Sequence, residues 1–461
     1  MTLIKSISGI RGTIGGQPGE NLTPVDVVKF VSAYGTILIR EGKNKKVVVG
    51  RDARTSGAMI SALVTNTLAG LGIDVVDLGL STTPTVEIAV PMENAGGGII
   101  LTASHNPAQW NALKLLNEKG EFISAEEGTA LLEVAENEDF DFVSHDKIGV
   151  ITQDDTYIDK HIQKVLDIPY IDVEAIKKAN IKVAIDCVNS TGGIALPILL
   201  AKLGVEVEEL YCEPNGNFPH NPEPLPENLT VLADTVKSQN CHMGITVDPD
   251  VDRLAFVCED GAMFGEEYTI VAVADFILKH TKTATVSNLS SSRALRDVTE
   301  AAGCEYQPSA VGEVNVVNKM KELGAKIGGE GNGGVIYPEL HYGRDSIVGI
   351  ALFLTHFAKE RKTMSALKAS YPQYEISKNK IELTPEINVD KVLIALEKAY
   401  SQYTVNTIDG VKVDFEETKE WIHLRKSNTE PIIRIYSEAV SKERADELAN
   451  AVIKKIKEII A

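Results

Sequence analysis

The stretch Lys46–Leu78, KVVVGRDARTSGAMISALVTNTLAGLGIDVVDL, decides the fold. Lys46–Val49 is a run of valines closed by Gly50, the pattern of a strand buried on both faces. Ser61–Leu71 then carries Leu63, Val64, Leu68 and Leu71 at helical spacing. Gly72 sits where a helix C-cap favours glycine, and Ile73–Leu78 reads as the next strand. Strand, helix and strand in about thirty residues make one βαβ unit.

The unit recurs. Lys182–Ile185 reads as a strand, Asn189–Gly193 as a turn, Ile194–Leu203 as a helix stopped by Gly204, and Val205–Leu210 as a strand. A third copy runs through Ala284–Val286, the serines Ser290–Ser292, a helix to Ala302, and Gly303. Each copy leads to a further short strand with a polar cluster after it. Gly98–Leu101 leads to Ser104, Met243–Val247 to Asp248, and Lys326–Gly328 to Glu330. Ligands of open α/β sheets bind beyond the carboxyl ends of strands. Three similar α/β domains with mixed, mostly parallel sheets are therefore predicted, facing a common cleft. The tail from Tyr374 has another plan. A strand, a helix at Val389–Tyr400, strands at Val411–Phe415, Trp421–Leu424 and Ile432–Ser437, and a helix from Lys442 form a small α+β module. The expected domains are 1–152, 153–256, 257–373 and 374–461, with linkers near 145–158, 255–262 and 370–377.

The chain has 461 residues, 46 basic against 65 acidic, for a net charge of −19. That balance argues against nucleic acid or an anionic membrane as a partner. An anionic substrate must be met by a local basic site. Five scattered cysteines without a C-x-x-C pair suggest reduced thiols. The N-terminus lacks a signal-peptide pattern, and no apolar run reaches the ~20 residues needed to span a bilayer. A cytoplasmic enzyme is expected; nothing in the sequence speaks to oligomeric state.

Four clusters carry chemistry. Thr102-Ala-Ser-His-Asn-Pro107 follows a glycine-rich strand and offers Ser104 as a nucleophile. No G-x-S-x-G elbow surrounds it, which disfavours a lipase-type triad. Lys114 lies close enough in sequence to return a cation to the site. A turn held by hydroxyl and amide hydrogen bonds is the plainer reading.

Asp248-Pro-Asp-Val-Asp-Arg253 places three carboxylates at alternate positions, able to converge on one hard cation. An EF-hand loop shares this spacing, with Glu259 at its last position. However, Arg253 stands where that loop needs glycine, and the flanks look like strands. Magnesium fits best, since it takes few carboxylates and leaves room for phosphate oxygen. Gly328-Gly-Glu-Gly-Asn-Gly-Gly334 suits either a flexible turn or hydrogen bonding to vicinal sugar hydroxyls. Arg425-Lys-Ser-Asn-Thr-Glu-Pro431 offers a guanidinium fork and hydroxyls for phosphate, or a polar hairpin turn.

Taken together, in this order, the four clusters resemble the α-D-phosphohexomutase superfamily, which includes phosphoglucomutase, phosphomannomutase and phosphoglucosamine mutase. T-A-S-H-N-P is similar to that family's phosphoserine loop, and D-P-D-V-D-R to its metal loop D-P-D-G-D-R. G-E-G-N-G-G resembles its sugar loop G-E-x-S-G-H, and R-K-S-N-T-E-P its phosphate-binding loop. Gly9-Ile-Arg-Gly12 resembles its N-terminal segment. The resemblance spans the chain and implies three α/β domains plus a smaller C-terminal one.

It also implies roles. Ser104 would carry the transferable phosphoryl group. Mg2+ would be held by Asp248, Asp250, Asp252 and the Ser104 phosphate. Glu330 and Asn332 would grip sugar hydroxyls. Arg425, Ser427, Asn428 and Thr429 would hold the non-reacting phosphate. Arg11, Lys114 and Arg253 would stabilise charge at the transfer centre. A hexose 1,6-bisphosphate would serve as intermediate and activator.

Two departures stand out. Val251 replaces the family's usual glycine, and Gly334 replaces the sugar-loop histidine of many members. His105, Lys114 or His341 would have to supply what that histidine does. Glucosamine phosphate is the first substrate choice, with mannose or glucose phosphates next. A sugar phosphatase and a non-catalytic sugar-phosphate sensor are the readings from other classes.

Overall fold

The computed structural model describes residues 2–6, 9–382, 388–426 and 432–460. The chain divides into two compact units, Met1–Thr269 with Gly333–Leu367, and Ile270–Asn332 with Lys368–Ala461.

The first unit holds two sheets. The larger has seven strands. In spatial order they are Ile4–Ser6, Gly9–Thr13, Trp110–Leu116, Gly97–Leu101, Lys46–Arg51, Asp74–Leu80 and Ile151–Gln153. The last four run parallel, and the first three complete the sheet antiparallel. Gly97–Leu101 is buried at every position, which is why it reads as an unbroken apolar run. Its glycines admit close neighbours: a Cβ on Gly97 would come within 2.0 Å of the Tyr34 hydroxyl and 2.6 Å of Leu116 O. That hydroxyl donates to Leu116 O at 2.6 Å, tying the helix Pro24–Arg40 to the sheet.

The smaller sheet orders Leu254–Cys258, Met243–Val247, Lys182–Asp186 and Glu206–Leu210. Its last three strands are parallel, and Leu254–Cys258 folds back antiparallel on Met243–Val247. The expected linker at 255–262 therefore begins inside a strand. Leu254–Cys258 is buried throughout, and its apolar side chains pack as core. The helix Gly192–Leu203 starts two residues earlier than expected and ends on Gly204 in the left-handed conformation.

In the second unit, Thr285–Asn288 pairs in parallel with Tyr306–Ser309 and Ile327–Glu330. The tail forms a five-stranded antiparallel sheet. Its order is Glu375–Glu382, Ile432–Ala439, Glu420–Lys426, Val411–Phe415 and Thr404–Asn406. The helices Val389–Ala399 and Lys442–Ile460 pack their apolar faces, including Leu396, Val452 and Ile456, on this sheet. Mixed α/β sheets with a distinct α+β tail are what the hydrophobic pattern predicts.

The packing at Gly97 gives a direct test. Gly97→Ala should lower stability by more than 1 kcal/mol on the order of an overpacked core site. Tyr34→Phe alone should cost about 1 kcal/mol. Because both changes act on one contact, thermal unfolding of the double variant should show less than the sum.

Candidate active site

The Ser104 loop begins where the buried strand Gly97–Leu101 ends. Thr102 Oγ1 donates to Asp52 Oδ2 at 2.7 Å and accepts the Ser104 N–H at 2.9 Å. Ser104 itself has φ of +49°, a conformation that costs a non-glycine residue roughly 1–2 kcal/mol. A fully buried arginine holds it there. Arg54 pairs with Asp52 through Nε at 3.0 Å. Its two terminal nitrogens donate to the backbone carbonyls of Pro107 at 2.7 Å, Trp110 at 2.9 Å, Ser104 at 2.5 Å and Asn106 at 2.6 Å. One planar guanidinium thus gathers the whole loop.

The second element is the hairpin between Met243–Val247 and Leu254–Cys258, closed in register at Val247 and Leu254. Strands on both sides exclude the EF-hand reading. Val251 at its tip has φ of +65°, the region that glycine occupies without strain. This explains the resemblance to a family loop with glycine there. Ser190 Oγ and Thr191 Oγ1 donate to Pro249 O at 2.6 and 2.9 Å, fixing the hairpin from behind.

These two loops meet. Ser104 Oγ donates to Asp248 Oδ2 at 2.5 Å. Asp248 Oδ1 accepts the backbone N–H groups of Asp252 and Arg253 at 3.2 and 3.1 Å. Asp250 Oδ2 accepts from Thr83 Oγ1 at 2.5 Å and Lys114 Nζ at 2.7 Å. Asp252 Oδ2 accepts from Lys114 Nζ at 3.3 Å and Arg344 at 2.8 Å. All three aspartates are fully buried. Lys114 does return to the site, by way of the strand Trp110–Leu116.

The electrostatics follow. Burial, then repulsion from Asp252 and Asp250, holds the Asp248 carboxyl well above its ordinary range. Burial would also raise Asp252, but Arg344, Lys114 and Arg253 pull it below the usual carboxylate range. Burial works against the Lys114 charge, and Asp250 and Asp252 overcome it, so its pKa rises. His105 is kept neutral, first by burial and then by Arg253, with Arg344 and Arg11 adding positive potential. Its Nδ1 lies 3.4 Å from Ser104 Oγ.

A divalent ion fits this donor set. One carboxylate oxygen from each aspartate lies within 4.8 Å of the others. Asp250 Oδ1 and Asp252 Oδ1 are buried with no hydrogen-bond partner among the described residues. An all-oxygen, buried, anionic group suits a hard cation such as Mg2+.

The remaining expected residues take other positions, Arg253 and Arg11 still acting electrostatically on the site. Arg253 sends its side chain to Glu223, 3.5 Å away. Arg11 lies on the strand Gly9–Thr13. Glu330, Asn332 and Arg425 belong to the second unit. There Glu330 Oε1 accepts from Asn288 Nδ2 at 2.7 Å, and Arg425 Nε lies 3.4 Å from Asp409 Oδ2. Ser427, Asn428 and Thr429 lie outside the described residues. His341, one substitute for the missing histidine, is bound up in a buried group with Asp345 and Glu87. Sequence reasoning missed Asp52, Arg54, Thr83 and Arg344. The R-D-A-R run at 51–54, directly after a strand, was the available signal for the first two.

This fold and this pairing of serine with an aspartate hairpin define the phosphohexomutase class. Family models agree along the chain. Phosphoglucomutase/phosphomannomutase α/β/α domains I, II and III match residues 3–142, 155–261 and 265–374, and the C-terminal domain matches 380–455. The chain belongs to the phosphoglucomutase/phosphomannomutase family.

It is 37% identical to a phosphoglucomutase/phosphomannomutase of Thermococcus kodakarensis, over 97% of this chain and 98% of that one. It is 32% identical to a phosphoglucosamine/phosphogalactosamine mutase of Sulfurisphaera tokodaii, over 98% of each. Among solved structures, a phosphoglucomutase/phosphomannomutase family protein of Burkholderia thailandensis superposes with a TM-score of 0.84. That match has 26% identity and covers 99% of this chain and 98% of that one.

Two outcomes test the site's construction. Arg54→Lys keeps the charge but loses the fork. It should lower kcat by about 10²-fold through misplacement of Ser104, with the circular dichroism spectrum unchanged. Asp248→Asn removes like-charge crowding, so in EDTA it should unfold at a higher temperature than wild type. Mg2+ at a hundred times its Kd should stabilise wild type by about 2.7 kcal/mol and the variant by less.

Proposed function

We propose that the protein interconverts hexose 6-phosphate and hexose 1-phosphate through a phosphoserine at Ser104. The observation that carries this reading is the 2.5 Å contact between Ser104 Oγ and Asp248, inside a buried aspartate hairpin. A hydroxyl in that place is poised to carry a phosphoryl group next to a cation site. In the forward step, a substrate hydroxyl oxygen bonds to phosphorus as the bond to Ser104 Oγ breaks, and the proton of that hydroxyl passes to the freed Ser104 Oγ. The product is a hexose 1,6-bisphosphate. The sugar then turns, and its other phosphoryl group returns to Ser104 Oγ.

Asp248, Asp250 and Asp252 would hold Mg2+, which supplies charge neutralisation for the transferring oxygens. Lys114, Arg344, Arg11 and Arg253 add fixed positive charge. His105, held neutral beside Ser104, takes the proton that the serine hydroxyl gives up when it is phosphorylated. Glu330 and Asn332 bind sugar hydroxyls, and Arg425 with Ser427, Asn428 and Thr429 holds the phosphate that is not reacting. The non-reacting phosphate must be held in both orientations of the sugar.

Glucosamine phosphate is the preferred substrate, supported by relatives from Methanopyrus kandleri and Sulfurisphaera tokodaii named for that sugar. Mannose and glucose phosphates form the second reading, supported by the 37% identical relative from Thermococcus kodakarensis. A bisphosphorylated hexose serves as primer. The five free thiols support a cytoplasmic setting. Among the described residues, no helix is long and apolar enough to cross a membrane.

A coupled assay on glucosamine, mannose and glucose 6-phosphates, with and without Mg2+ and bisphosphate, tests the proposal. Fastest turnover is expected on glucosamine 6-phosphate, dependent on both additions. Release of inorganic phosphate without a bisphosphate requirement would mark a phosphatase instead. Ser104→Ala should abolish turnover with the fold intact, and turnover at the wild-type rate would overturn the nucleophile assignment.

A further inference from the structure

One cluster of titratable side chains in the first unit takes no part in the phosphoryl site. His161, on the helix Tyr157–Leu166, directs Nε2 to Asp345 Oδ2 at 2.9 Å. His341 directs its own Nε2 to the same oxygen at 3.3 Å. The three donor atoms lie within 4.8 Å of one another. His161 and Asp345 are fully buried, and His341 is nearly so.

The outer atoms of all three groups are tied down. His161 Nδ1 lies 3.0 Å from Thr85 Oγ1, and His341 Nδ1 lies 3.2 Å from the buried Glu87 Oε2. Asp345 Oδ1 accepts the Ile347 and Val348 N–H groups at 2.8 and 3.3 Å, capping the helix Ser346–Glu360. Two imidazoles thus aim Nε2 inward, with Nδ1 of His161 against the Thr85 hydroxyl and Nδ1 of His341 in ion-pair range of Glu87, and one carboxylate oxygen completes the set. This is how proteins orient metal ligands: a ring N–H donated to a carboxylate or other acceptor sets the tautomer and the direction of the free nitrogen. The surroundings are closed as well. A Cβ on Gly343 would come within 1.9 Å of Glu87 Oε2 and 2.9 Å of His341 Cε1, so a side chain there would displace the Glu87 carboxylate.

We propose that His161, His341 and Asp345 form a second divalent-metal site, of the zinc class, separate from the aspartate hairpin. The donor chemistry selects the ion. Two imidazole nitrogens and one carboxylate oxygen suit zinc or cobalt, whereas the all-oxygen aspartate trio suits magnesium. Charge agrees: Glu87 and Asp345 bring two carboxylates into a dry region. Without a metal, burial would lower the His341 pKa, but Asp345 and Glu87 lift it to about 10. Ion uptake displaces both Nε2 protons: that of His341 leaves to solvent, and His161 shifts to the tautomer whose Nδ1–H faces Thr85 Oγ1, while Glu87 stays 3.2 Å from His341 Nδ1. The site has a structural consequence. The residues flanking Asp345 both touch the aspartate hairpin, Arg344 through Asp252 at 2.8 Å and the Ser346 N–H through Val251 O at 3.1 Å.

The test is Co2+ titration of the full-length protein in saturating Mg2+, followed by visible d–d absorption and metal analysis. One equivalent of Co2+ per chain is expected. It should be lost in His341→Ala and His161→Ala and kept in Asp248→Asn. No bound Co2+ in the presence of Mg2+, or a spectrum that survives His341→Ala, would overturn the proposal. If the histidine variants do not fold, cobalt-edge X-ray absorption on the wild-type protein decides. Scattering from two imidazoles supports the site, and a shell without imidazole refutes it.

Discussion

Three carboxylates in one dry hairpin are the constraint around which the first unit is arranged. At separations near 5 Å, two like charges repel by about 3 kcal/mol even at an effective dielectric near 20. Asp248, Asp250 and Asp252 tolerate this because each receives compensation. Backbone N–H groups and the Ser104 hydroxyl serve Asp248, Thr83 and Lys114 serve Asp250, and Lys114 and Arg344 serve Asp252. The compensation is incomplete on one side, where Asp250 Oδ1 and Asp252 Oδ1 have no partner among the described residues. A cation held by the trio would satisfy those two buried oxygens.

Both loops of the site carry backbone strain, at Ser104 and at Val251. Such strain persists only where surrounding contacts over-determine it. Around Ser104 the Arg54 guanidinium and the Thr102–Asp52 pair supply those contacts. Around Val251 they come from a closed hairpin register, a side chain with no exposed surface, and carbonyl and N–H bonds to Pro249 and Val251. The cost is spent on aiming: the serine hydroxyl and the carboxylates face one another because neither loop can relax.

Much of this was legible from sequence because it is local. The βαβ runs at 46–78 and 182–210 carry their periodicity within a few turns of chain, and the three aspartates sit at alternate positions of one hairpin. The R-D-A-R run marked Arg54, but the brace it forms was not legible, since its carbonyl partners lie some fifty residues away and backbone groups leave no mark in sequence. The His161–Asp345–His341 cluster joins residues 184 positions apart, a closeness that only tertiary packing creates. The linker expected near 255–262 overlaps the end of the buried strand Leu254–Cys258. The choice of sugar depends on contacts to hydroxyls and an amino group, which no local spacing encodes.

The central claim is that the Ser104 oxygen and the aspartate trio share one divalent ion. The direct measurement is 31P NMR of the protein phosphorylated on Ser104 by a hexose bisphosphate, titrated with Mn2+. Sharing predicts that the phosphoserine resonance broadens beyond detection at one equivalent of bound Mn2+, and stays sharp when Asp250 and Asp252 are replaced by asparagine. A resonance that remains sharp in the wild-type protein with Mn2+ bound at the trio would contradict it.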